Sequence, residues 1–161
     1  MDSPYPVPQD ENISLSWNNY CGVFWVTMLT VLERRDFGDV TDGVMEYTLS
    51  GKVLKGLLEN VHMYFDSIVI PRFIVLPDSI EALIMVRGFD GMSHYIPHAI
   101  ECVEELVEAF RGISMRSLGY LNPVNINVWI YRMREIELNE LKMVLDTYDN
   151  RLADWIATHK R

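Results

Sequence analysis

Cysteine is scarce in this 161-residue chain, with only Cys21 and Cys102, each in apolar company. That excludes a disulfide-framed miniprotein and suits reduced core thiols. Glycine (9) and proline (7) are few and without period, which excludes collagen-like and low-complexity chains. No apolar run reaches the ~18 residues that a membrane-spanning helix needs: Val23–Leu32 and Ile68–Ile70 both fall short. Basic side chains are absent before Arg34, whereas Asp2, Asp10, Glu11 and Glu33 precede it. With neither a basic nor an apolar stretch in residues 1–12, no secretory or transit signal is expected, and the sequon at Asn12, Ile13 and Ser14 should be idle. The net charge of −9 opposes non-specific attachment to phosphate backbones and anionic headgroups. Liposome binding should therefore be weak.

Catalytic signatures are missing too. Glycine-rich phosphate loops, a Gly-x-Ser-x-Gly elbow and a His-Glu-x-x-His helix do not occur. His94 and His98 lack cysteine or carboxylate companions at structural zinc spacing. Glu101, Glu104, Glu105 and Glu108 lie opposite an apolar stripe and read as a solvated face. Cys102 on that helix should be an inert buried thiol. The sequence thus gives no catalytic residue, metal site or cofactor, and a non-enzymatic role is expected.

What is present is 49% apolar residues, enough for one α+β domain with a core. Residues 1–12 carry Pro4, Pro6 and Pro8 on alternate positions around Tyr5 and should form an extended, polyproline-like arm. A globular part follows from residue 13. Ile13–Asn19 alternates like a strand, with a turn expected at Asn18, Asn19 and Gly22. Val23–Glu33, apolar at odd and even positions, predicts a central strand covered on both faces. Thr41 is placed to cap a short helix carrying Val44, Met45, Tyr47 and Leu49. Gly51–Phe65 has helical spacing, although Gly56 leaves a strand possible. Ser67–Leu76 has strand composition, with Pro71 assigning it to a sheet edge or bulge. Ile80–Val86 fits a strand or a short helix, and Gly88–Pro97 a loop. Ala99, Ile100, Val103, Leu106, Val107 and Phe110 predict a helix from His98 with Gly112 as its stop. Val124–Met133 alternates as a strand. A long C-terminal helix is expected over about 136–158, packed on an antiparallel sheet.

The basic residues form small clusters, of which Arg34 with Arg35 and Lys52 with Lys55 are the candidates for a basic surface.

Leu29, Thr30 and Val31, then Arg35, Phe37 and Thr41 with Asp42, are similar to a pattern in rhabdovirus matrix proteins of the vesiculovirus kind. There a strand ending in Leu-Thr-Val is followed by Arg, by Phe, and by Ser-Asp opening a helix. Val124, Ile126, Val128, Ile130 and Tyr131 look like that family's late strand ending in Ile-Tyr. Gly51, Lys52, Leu54 and Lys55 match an intervening Gly-Lys segment after a gap, and element order agrees over roughly residues 22–155. The resemblance implies a viral matrix structural protein in the virion and host cytoplasm. Such a protein would self-associate and bridge a nucleocapsid to the inner face of an envelope during assembly and budding, without sequence-specific nucleic-acid binding. It also implies self-association through the arm, at Pro4, Tyr5, Pro6 and Pro8. The acidic arm departs from the family's Lys-rich tail and its Pro-Pro-x-Tyr motif, so attachment to the envelope would be weak or indirect. The rival reading is a small non-enzymatic adaptor that holds a partner peptide at a sheet edge near Pro71 by strand addition, and an enzyme with an unrecognised pocket comes third.

Overall fold

The computed structural model describes residues 20–30, 34–88, 96–121 and 130–159. The chain is α+β. A four-stranded antiparallel sheet has the order β4-β5-β1-β6, and a separate two-stranded hairpin is formed by β2 and β3. The strands are β1 (Tyr20–Leu29), β2 (Gly38–Thr41), β3 (Val44–Tyr47), β4 (Ile68–Leu76), β5 (Ser79–Arg87) and β6 (Ile130–Glu135). The helices are α1 (Leu49–Glu59), α2 (Ile96–Leu121), α3 (Leu141–Asp149) and α4 (Arg151–Thr158).

β1 is central, as its two-faced apolarity requires, with β5 on one flank and β6 on the other. Phe24, Val26 and Met28 point to one face, where Leu54, Leu57 and Leu58 of α1 and Val103, Leu106, Val107 and Phe110 of α2 close the larger core. Val23 points to the other face, where Leu83 and Met85 of β5 meet Leu141 and Val144 of α3. Gly22 lies inside β1, just past a register shift, and not in the expected turn. A Cβ there would stand 2.6 Å from the Ala99 Cβ, so α2 can approach the strand only because this residue is glycine.

The short helix expected after Thr41 is instead a β-hairpin. Asp42 (φ 52°) and Gly43 (φ 78°) both take the left-handed conformation that a two-residue hairpin turn of this hand demands, and Asp-Gly supplies it readily. The capping role belongs to Thr48. Its hydroxyl oxygen accepts the Gly51 N–H of α1 at 3.1 Å and its hydroxyl donates to the Asp36 carbonyl at 2.7 Å.

β4 and β5 form a hairpin through Pro77 and Asp78, which settles residues 79–87 as strand. α2 runs past Gly112 to Leu121. Among the described residues only Gly38 and Gly43 are positive-φ glycines, so Gly112 is not in the left-handed state that ends helices, and in a right-handed turn it costs only about 1 kcal/mol. The C-terminal region is helical in two pieces. The Asn150 side chain donates to the Asp146 carbonyl at 2.9 Å, a local bond that competes with the helix ladder, and α4 starts afresh at Arg151. Residues 1–12 and 13–19, most of the loop expected before α2, and residues 124–129 of the expected late strand lie outside the described residues. No helix among those described is long and apolar enough to cross a membrane.

Candidate functional site

β4 is an outer strand of the sheet, as Pro71 implies. Its register with β5 shifts between Val69 and Arg72, so Ile70 and Pro71 together oppose Ile84. A proline is tolerated at such a bulge because it has no N–H to give to the ladder. The edge is sealed further by side chains. The Arg72 guanidinium donates to the Pro71 carbonyl at 2.8 Å, and the Tyr148 hydroxyl of α3 donates to the Phe73 carbonyl at 2.6 Å.

A groove of about 440 Å³ runs beside this edge, lined by Tyr47, Lys55, Arg72, Phe73 and Tyr148, with Pro71, Ile74 and Val75 along its floor. A second cavity of about 220 Å³ lies further along β4, between Leu58, Glu59, Val61 and His62 and the Ile68–Ile70 end, and Phe73 lines both. Three elements bring the groove together. The hairpin supplies Tyr47, α1 supplies Lys55, and α3 supplies Tyr148. The Lys55 ammonium stands 6.0 Å from the Tyr47 ring centroid. Its hydrogen bond to the Glu59 carboxylate holds it above the ordinary lysine range. Tyr148 packs edge-on to Trp25 with centroids 6.4 Å apart. Burial, against the opposing pull of the Arg72 charge, pushes its phenol above the usual tyrosine value. Two phenols and two cations on an apolar floor can stack on flat side chains and attract carboxylates.

A different polar cluster holds α4 onto the sheet. Asp78 and Glu81 are buried, at 7% exposure each. Asp78 accepts from the Trp155 indole and faces His159, and Glu81 is ion-paired with Arg151. The partners come from α4 and its C-terminal cap, His159, so this cluster reads as a latch for that helix. No group of three His, Cys, Asp or Glu among the described residues is placed to hold a metal ion.

The candidate basic surface is not a bare patch. Arg34 pairs with Asp36 at 3.1 Å, Arg35 pairs with Asp39 at 2.7 Å and also covers the Trp155 ring, and Lys55 pairs with Glu59. Lys52 is exposed on α1. Of the four, Lys55 alone lines the groove. Pro4, Tyr5, Pro6 and Pro8 lie outside the described residues. His98 is on α2, with its Nε2 3.6 Å from the Cys102 sulfur. The groove residues that sequence reasoning missed are Tyr47, Arg72, Phe73 and Tyr148. The Asp42-Gly43 turn was the signal that places Tyr47 on a strand, and nothing local links Tyr148 to Phe73.

No protein-family profile matches the chain, and no curated protein matches it in sequence. Among solved structures it is similar to the 1.90 Å crystal structure of a proposed transposase from Deinococcus radiodurans R1. The identity is 17%, the match covers 80% of this chain and 89% of that one, and the TM-score is 0.41. These findings overturn the resemblance to rhabdovirus matrix proteins, and the fold explains why the pattern misled. Thr41 and Asp42 enter a hairpin turn where the matrix pattern has a helix start. β6 continues past Ile130 and Tyr131 to Glu135, where that pattern has a strand end. Apolar strand residues recur in many folds, and here the spacing between them belongs to different elements.

Proposed function

We propose that this protein is a non-catalytic docking module whose β4-edge groove holds an extended, acidic, proline- and tyrosine-bearing segment of a protein partner. The observation that carries this reading is the pairing of a sealed strand edge with an aromatic, cationic groove beside it. Strand addition past Pro71 would lack its hydrogen-bonding groups, because Pro71 has no N–H and the Pro71 and Phe73 carbonyls already accept from Arg72 and Tyr148. A polyproline II segment needs no such ladder, since its backbone makes no internal or inter-strand bonds, and it docks by laying rings and prolines into aromatic-lined grooves. Arg72, with Lys55 shared between Glu59 and the occupant, favours acidic segments on a protein whose own charge is −9.

The test is fluorescence anisotropy with a labelled dodecamer built from Asp, Pro and Tyr, set against the same peptide with Lys in place of Asp. The acidic peptide should bind, weaken as salt rises, and weaken about tenfold, or ~1.4 kcal/mol, on Arg72→Glu. Equal binding of the basic peptide, or none of either, would overturn the reading.

A further inference from the structure

We infer that the segment held by the groove is the chain's own acidic arm, contributed by a second copy of the protein. The inference rests on the docking reading above and names its partner. The arm has the charge that the groove selects: Asp2, Asp10 and Glu11 lie in it, and no Lys or Arg occurs before Arg34. Another hollow on the described surface, at the junction of α3 and α4, is lined by Asp146 and Asp154 against a single Lys142, and would repel such a segment.

Geometry adds a second match. Polyproline II has three residues per turn, so every third residue falls on one edge. In that conformation one edge of the arm would read Asp2, Tyr5, Pro8, Glu11. An aromatic ring and a proline stand in the middle and a carboxylate stands at each end, the complement of a groove that combines tyrosines, an apolar floor and cations. At a rise of ~3.1 Å per residue the edge from Asp2 to Glu11 is about 28 Å long. The nine residues of β4 span about 26 Å, eight rises of ~3.3 Å, so the arm can follow the strand past both cavities that Phe73 lines. Arm and groove are different surfaces, so the contact is heterologous and adds copies end to end without closing a dimer. The prolines limit the entropy lost on docking.

Sedimentation velocity of the full chain, at low and high salt over a range of concentrations, tests this. The sedimentation coefficient should rise with concentration at low salt and much less at high salt. Tyr5→Ala and Lys55→Glu should each weaken the association about tenfold, with unchanged circular dichroism. Mixing the Lys55→Glu chain with one carrying Asp10→Lys and Glu11→Lys should restore it, since the charges are exchanged and not removed. Should Lys55→Glu perturb folding, Tyr5→Ala still decides, because it alters no residue of the folded sheet described above. A full chain that stays monomeric throughout, or Tyr5→Ala assembling as well as the parent, overturns the inference. If the labelled acidic dodecamer still binds in that case, the docking reading stands and only the self-recognition falls. If neither occurs, both fall.

Discussion

The Trp155 indole N–H donates to the Asp78 carboxylate across 2.9 Å, joining residues 77 positions apart. The bond ties α4 to the turn between β4 and β5, and that turn is in turn held to the end of β1, where the Thr30 N–H donates to the Asp78 carbonyl at 3.0 Å. Asp78→Ala should leave the buried indole N–H without its acceptor and cost about 1–3 kcal/mol. Urea unfolding followed by circular dichroism measures the loss, and an unchanged midpoint would show that α4 does not depend on the latch.

Alkaline titration should reveal the Tyr148 contact. Its phenol is raised above the ordinary tyrosine value of 10.0, chiefly by burial, so the fold favours the protonated form. That contribution is fully present below the unfolded value and is lost as pH rises through it toward the folded one. Stability should therefore fall more steeply above pH 10 in the parent than in Tyr148→Phe. At neutral pH the variant should be less stable by about 1 kcal/mol, the net worth of one hydrogen bond. Parallel pH slopes for the two proteins would contradict this.

The same substitution should act with opposite sign at two glycines. A Cβ on Gly56 of α1 would meet nothing within 4 Å, so Gly56→Ala should stabilise by roughly 0.5–1 kcal/mol through helix propensity. A Cβ on Gly22 would collide with Ala99 and Phe24, and Gly22→Ala should destabilise by about 1–3 kcal/mol through overpacking. Thermal unfolding of the two variants side by side checks the pair.

Thiol chemistry should be slow in the native protein. Cys21 is fully buried, and burial pushes the Cys102 thiol above its ordinary range, against the hydrogen bond from Ser67. Alkylation by iodoacetamide at mildly alkaline pH should proceed more slowly at both sites than in unfolded protein, because less thiolate forms and access is poor. Rapid native labelling of Cys102, read by mass spectrometry, would show that α2 opens locally.

What the sequence discloses here depends on the range of the interaction. β1 as a central strand follows from apolar residues on both of its faces, and β4 as a bulged edge follows from Pro71, because each is a property of one segment. The hairpin at residues 38–47 was legible in Asp42-Gly43, yet Thr41 reads equally as a cap until the turn is recognised. Gly112 reads as a stop signal, yet α2 continues through it at a cost of only about 1 kcal/mol, and the break at Asn150 depends on a side chain choosing the Asp146 carbonyl. The groove was the least legible part. Tyr47, Lys55, Arg72 and Tyr148 come from four elements, and only the packing of α3 across β4 brings Tyr148 to the Phe73 carbonyl.

β1 lies between two strands that are synthesised long after it, one spanning residues 79–87 and the other 130–135. As the chain emerges from the ribosome, the β5 hairpin can cover one flank, while the rungs from Phe24 to Leu29 that belong to β6 stay open until most of the protein has been translated. Such an unpaired apolar flank is a template for foreign strands. Nascent chains halted before residue 130 should therefore be the form of this protein most dependent on chaperones, and premature termination there should yield aggregates where later termination, within α4, should yield soluble product.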